Sequence, residues 1–565
     1  MKLNRLSKKI QEPLLLVILD GVGLYKGIKE GYPGNALDLA KADFLKMLFQ
    51  PGVEPKRIFT TLKAHGTAVG MPSDDDMGNS EVGHNALGAG RIFAQGASLV
   101  NQAIETGRLF QSEVWKEYIG TNEQPGYGMK GSTVHFIGLL SDGNVHSHIN
   151  HLFAMIRKCK ELGVKEVRVH ALLDGRDVPE KSAEIYLEKL EKFLKELDPT
   201  GEHYRVASGG GRMVITMDRY EANWKMVELG WKTHVKGEAE WKFTSSLDAI
   251  QTFRKVYPDK IDQDLPPFVI VDQNQKPVGP IRDQDVVIFY NFRGDRAIEI
   301  SRAFTEENFD KFVRDPEVKV HFAGMMEYDG DLKIPKKYLV PPPAIDKTVS
   351  EYLAHMGIYQ YAISETQKFG HVTYFWNGNN SLKFNEELED WVEIPSDRVP
   401  FQEKPEMKAK EITDTLIEAL RSKKYQFLRV NYANGDMVGH TGVLEAAIRA
   451  VETLNEQVKR LYDVITELKG TMIVIADHGN CEQMIEVDKK TGQPLKQKNG
   501  KYATKTSHTL NPVPFVIISP YLDELELNPI NGEYGLGNIA STLLVLLGFE
   551  PPEFYLPPVV RWKSL

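Results

Sequence analysis

Short, largely apolar runs that mostly break off into a cluster of Asp, His, Arg or Gly constrain this chain most. "LLLVIL" (14–19) runs into Asp20-Gly21, and "VHFIGLL" (134–140) into Ser141-Asp142-Gly143, then His146 and His148. "VRVHALL" (167–173) runs into Asp174-Gly175-Arg176-Asp177, and "VVIFYN" (286–291) into Phe292-Arg293-Gly294-Asp295-Arg296. "FLRVNY" (427–432) reaches Asn434-Gly435-Asp436 and His440; "MIVIA" (472–476) reaches Asp477-His478-Gly479; "FVII" (515–518) is a further run. Continuous apolar character over so few residues suits strands covered on both faces. Amphipathic segments separate them. Between 443 and 468, Leu444, Ala447, Ile448, Val451, Leu454, Val458, Leu461 and Ile465 fall three or four apart on one helical face. Pro179 is placed to open another helix. The pattern is α/β, and open α/β sheets gather their sites beyond the carboxyl ends of strands.

At 565 residues the chain exceeds one hydrophobic core, so at least two domains are expected. A net charge of −9 and a pI near 6.0 give no overall basic footprint for nucleic acid. No apolar run reaches the length of a membrane span. Two cysteines, Cys159 and Cys481, exclude a disulfide scaffold and fit a reducing compartment. Cys481 follows "DHGN" and could serve as a soft ligand, but a small buried hydrophobe is the plainer reading. The basic opening "MKLNRLSKKIQEP" reads as an arm before the first strand, not a signal peptide.

The clusters sort by chemistry. Towards both chain ends they carry Asp20, Asp436, His440, Asp477, His478 and, in "TSHTLNPVP", His508. In the middle they carry Arg176, Arg212, Arg219, Arg293 and Arg296, with His146 and Asp177. Carboxylates and imidazoles together suit manganese, cobalt, zinc or iron, whereas magnesium alone prefers all-oxygen sites. With Ser80 the donors suffice for two ions, and two ions about 3.5–4 Å apart clamp both oxygens of a phosphoryl transfer. A metal also sharpens a hydroxyl into a nucleophile. Ser80 lies in "MGNSEVGHNALGAG" (77–90), which lacks helix or strand periodicity. It is read as a nucleophile on phosphorus, set on a flexible platform. There Gly78 and Gly83 would admit a phosphate to the backbone, with amides and Asn79 binding its oxygens. Each piece has a plainer reading: a capped turn, a helix cap with a surface histidine, a merely flexible loop. The central arginines imply a small, multiply charged anion, with at least one of them engaged in an ion pair to Asp177, Asp218 or Asp295.

"LDGVG", "MGNSEVGHNALGAGRI", "SDGNVHSHINHL", "LLDGRDVP", "NFRGDRA", "ETQKFGHVTYFWNG", "NGDMVGHTG", "IADHGNCEQM" and "SHTLNPVPFVI" resemble, in order and from end to end, the signatures of cofactor-independent phosphoglycerate mutase. The resemblance implies an alkaline-phosphatase-like domain over 1–94 and 342–565, interrupted by an inserted transferase domain at 95–341. Hinges would lie near "FAQGAS" and "LVPPPA". It implies one metal held by Asp20, Ser80, Asp477 and His478, and a second by Asp436, His440 and His508. Substrate would be held by His146, Arg176, Asp177, Arg212, Arg219, Arg293 and Arg296, and Lys368 in "ETQKFGH" would reach the phosphate. Manganese is the first expectation, with cobalt or magnesium as alternatives, and 2,3-bisphosphoglycerate is not required. Three features depart from compact members: an extra residue between Arg212 and Arg219, Gly294 where proline is common, and a lysine-rich stretch over 486–505. Gly294 is expected to loosen its turn, and 486–505 to form a solvated hairpin.

The implied reaction interconverts 3-phosphoglycerate and 2-phosphoglycerate through a phosphoserine on Ser80, with Asp177 or His146 protonating the leaving alkoxide. Water must be kept out and the glycerate kept captive, which hinged closure would achieve. A cytoplasmic monomer acting on a small molecule, without nucleic acid or membrane, is expected. A water-using phosphoesterase, a phosphopentomutase and an inactive metal-binding scaffold are the competing readings. The arginine set, "VHSH" and the full complement of ligands weigh against them.

Overall fold

The six residues Leu14–Leu19 are all fully buried, as a strand with a covered sheet face on either side requires. This strand pairs in parallel with Phe427–Tyr432, Leu14 opposite Phe427 and Leu19 opposite Tyr432, and on its other side with Thr471–Ile475. The computed structural model describes residues 1–28, 31–52, 54–218, 223–328, 333–488, 491–496 and 500–563. Its Cα framework divides into two units, Met1–Gln95 with Pro343–Leu565, and Gly96–Pro342.

Among the described residues, the first unit carries a seven-stranded sheet in the order Glu389–Ile394, Gln360–Glu365, Phe427–Tyr432, Leu14–Leu19, Thr471–Ile475, Val513–Ile518, Ile58–Leu62. The first five strands run parallel, and the last two pairings are antiparallel. Parallel register brings Asp20, Asp436 and Asp477 to one end of the sheet, because each follows the carboxyl end of its own strand. The helix Leu444–Glu467 buries Ala447, Val451, Leu454, Val458, Leu461 and Ile465, the face its periodicity predicts. Leu444 and Ile448 flank that face half-buried.

The second unit has its own seven-stranded sheet, in the order Trp241–Phe243, Phe268–Ile270, Tyr204–Gly211, Val167–Leu173, Val134–Leu139, Val286–Phe289, His321–Gly324. All pairings are parallel except Tyr204–Gly211 with Phe268–Ile270.

Two expectations are corrected. The helix after "LLDGRDVP" begins at Ala183, not at Pro179. The N–H groups of Ser182 and Ala183 donate to Asp262 Oδ2 at 2.7 and 2.8 Å, so a carboxylate distant in sequence sets the start. The stretch around Ser80 is not a flexible loop. Ser80–Ala89 is an α-helix capped by Asn79, whose side chain accepts from Val82 N–H at 2.9 Å. Nearly every residue of this helix is buried, so no face is left polar and no period marks it in the sequence.

Candidate active site

In the first unit the strand ends and the Ser80 helix converge. Ser80 Oγ donates towards Asp20 at 3.1 and 3.2 Å and lies 2.9 Å from His478 Nε2. Lys368 Nζ donates to Ser80 Oγ and to Asp436 Oδ2, both at 2.7 Å, and sits 3.1 Å from Asp20 Oδ1. Asp436 Oδ1 is 3.0 Å from His508 Nε2 and 3.1 Å from His440 Nε2, and those two nitrogens are 3.0 Å apart. Asp20, Asp477 and His478 form one set of converging donor atoms; Asp436, His478 and His508 form another. The structure thus gathers Asp20, Ser80, Lys368, Asp436, His440, Asp477, His478 and His508 in one neighbourhood. Except for His440 and His508, whose side chains are 14% exposed, these groups are almost completely buried.

Such crowding shifts the proton equilibria of Asp20, Asp436, Asp477, Lys368, His478 and His508. Burial opposes charge on Asp20, but Lys368 and then His478 outweigh it and hold the carboxyl well below the usual range. Asp436 behaves likewise, against burial, through His440, Lys368, His508 and His478. Asp477 goes the other way: burial, with the Asp20 charge beside it, pushes it up to about 7. Burial lowers Lys368, yet Asp20, Asp436 and Asp477 together raise its ammonium well above its ordinary value. His478 is pushed up to about 10 against burial by Asp477 and Asp436, whereas burial and His478 press His508 down to about 3. Asp477 Oδ2 is buried without a hydrogen-bond partner. Buried carboxylates with imidazole nitrogens converging beside them fit divalent cations, because the donors are mixed oxygen and nitrogen and their atoms lie close enough to share one ion.

Glycines here serve packing. A Cβ on Gly78 would lie 2.1 Å from the Ala64 carbonyl oxygen, one on Gly83 3.0 Å from that of Asp477, and one on Gly88 1.9 Å from that of Trp376. Both glycines are thus required by the close approach of the protein's own backbone. Asn79 caps the helix through Oδ1, which leaves its Nδ2 for other partners.

Several supporting residues escaped the sequence reading. Asn431 Nδ2 donates to Asp20 Oδ2 at 2.8 Å, and Asn480 Nδ2 to Asp436 Oδ1 at 2.9 Å. Buried Glu482 accepts from Gly23 N–H, Asn480 N–H and Asn511 Nδ2 at 3.0, 2.8 and 2.9 Å, tying three loops together. His84, one helical turn after Ser80, lies 2.7 Å from the Ser80 carbonyl oxygen through Nδ1. Its spacing from Ser80, and a polar Asn431 inside an apolar strand, were the available signals. Cys481 is a buried free thiol outside both donor sets, as the plainer reading has it.

In the second unit, Asp174 organises the turn after its strand. Its Oδ1 accepts from Arg176 N–H and Asp177 N–H at 3.1 and 3.0 Å, and its Oδ2 from Ser141 Oγ at 2.6 Å. Arg212, 1% exposed, donates through Nη1 to Asp174 Oδ1 at 3.0 Å and Asp177 Oδ2 at 2.5 Å. It is an arginine engaged in an ion pair, with Asp174 as an unforeseen second partner. Arg176 is exposed, and Asp177, Arg293 and Arg296 are half-buried. The carbonyl oxygen of buried His146 accepts from Phe292 N–H at 2.8 Å, which sets Arg293 beside it in sequence. Arg296 Nη1 donates to Met217 O at 2.8 Å, tying it to the Arg212 loop. A Cβ on Gly294 would lie 2.6 Å from Tyr328 O, so close packing fills the place where a looser turn was expected. Arg219 lies outside the described residues. In the 486–505 stretch, antiparallel bridges join Val487 to Pro494 and Lys496 to Tyr502.

A family model described as BPG-independent PGAM N-terminus matches residues 100–330. The chain is 53% identical to a probable 2,3-bisphosphoglycerate-independent phosphoglycerate mutase of Leptospira interrogans, covering 99% of this chain and all of the relative. It is 49% identical to the 2,3-bisphosphoglycerate-independent phosphoglycerate mutase of Trypanosoma brucei brucei, over 97% of each. Among solved structures it is similar to Leishmania mexicana phosphoglycerate mutase at low cobalt concentration, with 46% identity, a TM-score of 0.73 and full coverage of both chains.

Proposed function

This chain belongs to the 2,3-bisphosphoglycerate-independent phosphoglycerate mutases, and from that premise we propose that it interconverts 3-phosphoglycerate and 2-phosphoglycerate by lodging the phosphoryl group on Ser80. One observation carries the reading. Ser80 Oγ opens a buried helix and lies within 3.2 Å of Lys368 Nζ, His478 Nε2 and Asp20. A hydroxyl so placed meets positive charge from a lysine, from the helix N-terminus and from any cation its carboxylate neighbours hold.

Two divalent ions, manganese foremost, would be held by Asp20, Ser80, Asp477 and His478, and by Asp436, His440 and His508. When bound they supply the charge that turns a serine hydroxyl into a nucleophile at neutral pH. Asn431 and Asn480 orient the carboxylates of Asp20 and Asp436. Lys368 Nζ steadies Ser80 Oγ before transfer and a phosphoryl oxygen during it. Arg176, Arg212, Arg219, Arg293 and Arg296 hold the substrate's carboxylate and phosphate. Ser80 Oγ, having released its proton to solvent, attacks phosphorus; as the bond from phosphorus to the substrate oxygen breaks and that to Ser80 Oγ forms, His146 or Asp177 gives the departing oxygen a proton. The glycerate then presents its other hydroxyl, and the same steps in reverse return the phosphoryl group. The reading places the enzyme as a monomer in the cytoplasm, in keeping with two buried free thiols. No helix among the described residues is long and apolar enough to cross a membrane.

The test is Ser80→Ala in a coupled assay without 2,3-bisphosphoglycerate. Turnover is expected to fall by at least about 1,000-fold with substrate binding retained. Isomerisation at the parental rate would remove Ser80 from its role, and stoichiometric release of inorganic phosphate by the parental enzyme would make it a phosphatase instead.

A further inference from the structure

Three neighbouring strands and a helical turn of the second unit bury a line of polar side chains that the reaction above leaves unused. Asp285 Oδ2 lies 3.1 Å from His135 Nε2, and His135 Nδ1 lies 3.0 Å from His170 Nε2. His170 Nδ1 is 2.6 Å from Ser208 Oγ, Ser208 Oγ is 2.8 Å from His234 Nδ1, and His234 Nε2 is 2.8 Å from Thr216 Oγ1. Asp285 is 8% exposed; every other member is 1% exposed or less. Buried polar groups in such numbers are costly unless each is satisfied.

The line is satisfied in one direction only. Asp285 Oδ2 also accepts from Arg282 N–H at 2.8 Å, so it acts as an acceptor. His135 must then donate from Nε2 and accept at Nδ1, which makes His170 donate from Nε2 and accept at Nδ1. Ser208 gives its proton to His170 and accepts from His234 Nδ1–H, leaving His234 Nε2 to accept from the Thr216 hydroxyl. A neutral imidazole has one donor and one acceptor, and all three rings use both. Burial keeps them neutral, holding His234 down at about 3 and His170 well below the ordinary range; it also lowers His135, against the pull of Asp285.

The end of the line is strained. Thr216 has φ of +68°, a left-handed conformation that β-branched residues rarely adopt. Its N–H donates to Met226 O at 2.9 Å. Its hydroxyl fits only because residue 230 is glycine: a Cβ there would lie 2.3 Å from Thr216 Oγ1. Arg212 stands four positions earlier in the same loop, and the next residue, Met217, offers the carbonyl oxygen to which Arg296 donates. Strain held by an over-determined surrounding marks functional positions.

We propose that the Asp285–His135–His170–Ser208–His234 line is a positioning network that locks the Thr216 turn and thereby preorganises Arg212 and Arg296 for the anionic groups of phosphoglycerate. The proposal rests on the reading that these guanidinium groups hold substrate. Thr216→Val keeps the branched shape and removes the donor. It is expected to raise KM for 3-phosphoglycerate about 10-fold with kcat within about twofold, the signature of lost positioning in binding. Thr216→Ser returns the hydroxyl and should recover most of the loss. A parental KM in Thr216→Val, or a fall in kcat at constant KM, overturns the proposal. Long-range proton–nitrogen NMR of the histidine-labelled parental enzyme tests it even if that variant misfolds. Nε2–H on His135 and His170 with Nδ1–H on His234 supports the network; any other tautomer, or an imidazolium at pH 7, overturns it. Arg296→Ala separates the two levels. An unchanged KM there sinks the guanidinium grip and the network with it, whereas a raised KM beside a parental Thr216→Val sinks the network alone.

Discussion

The two units use one α/β architecture for opposite electrostatic ends. At the strand ends of the first, Asp20, Asp436 and Asp477 are buried together beside Lys368 and His478, and Asp477 Oδ2 has no hydrogen-bond partner. At the strand ends of the second, Asp174 and Asp177 are matched by Arg212, and the histidines behind them are neutral and fully paired. In the first site one carboxyl, Asp477, is pushed up to about 7 by burial and the neighbouring Asp20 charge, the mark of repulsion that its cationic neighbours only partly relieve. The second shares one guanidinium between its carboxylates and keeps its buried histidines uncharged, an arrangement that holds its shape. Folding alone would favour the second arrangement everywhere, so the first marks where chemistry overrides stability.

The contrast can be broken most forcefully by chelation. Removing divalent ions should abolish mutase activity, by at least about 10,000-fold, and restoring manganese should return both activity and several degrees of thermal midpoint. An enzyme that keeps full turnover after exhaustive chelation would contradict the cation-centred reading of the first unit. Next in size, Arg212→Ala leaves Asp174 and Asp177 facing each other in a buried site. It should cost about 3–5 kcal/mol of stability, read by denaturant unfolding, and a loss under 1 kcal/mol would show the pair to be dispensable. Asp477→Asn should do the reverse. In metal-free protein at pH 8 it removes a carboxyl pushed up to about 7 and should stabilise by about 2 kcal/mol while losing the thermal response to metal. Destabilisation of the metal-free form would mean that the crowding is relaxed in solution.

A last contrast is the acid sensitivity of the second unit. His234, held at about 3 against an unfolded value near 6.5, stays neutral when folded and takes up a proton when unfolded. Its contribution is therefore full above about 6.5 and declines as pH falls, by about 1.4 kcal/mol per pH unit, until the folded value is reached. His135 and His170 add in the same sense. Hydrogen exchange in Val134–Leu139 should quicken between pH 6.5 and 5, after correction for intrinsic rates, equally with and without metal. A metal-dependent change in that strand would blur the comparison.

Much of the fold was readable because the signal is local. "LLLVIL" is apolar throughout since both its faces are covered, and Asp20 is the first residue free of that demand. Asp477 and Asp436 follow their strands in the same manner. What escaped reading depends on partners far along the chain. The Ser80 helix hid because every side of it is buried, so amphipathic rhythm, the usual mark of a helix, is missing. The start of the Ala183 helix is set by Asp262 and is invisible near Pro179. Asn431, Asn480 and Glu482 act only through residues brought beside them by folding, and Arg212's second partner, Asp174, is distant in sequence. His135, His170 and His234 lie far apart in the sequence, and only folding brings them into one line.

The Leu14–Leu19 strand lies between Phe427–Tyr432 and Thr471–Ile475, and Gly21 N–H reaches Asp477 Oδ1 across 456 positions of sequence. During translation at about 5–20 residues per second, this strand leaves the ribosome roughly 20–90 s before its later neighbour exists. For that interval "LLLVIL" is a naked, sheet-prone hexapeptide, while Gly96–Pro342 can finish folding on its own schedule. A unit assembled from both ends of a polypeptide thus leaves its first strand waiting, unpaired on that side, for a partner made last.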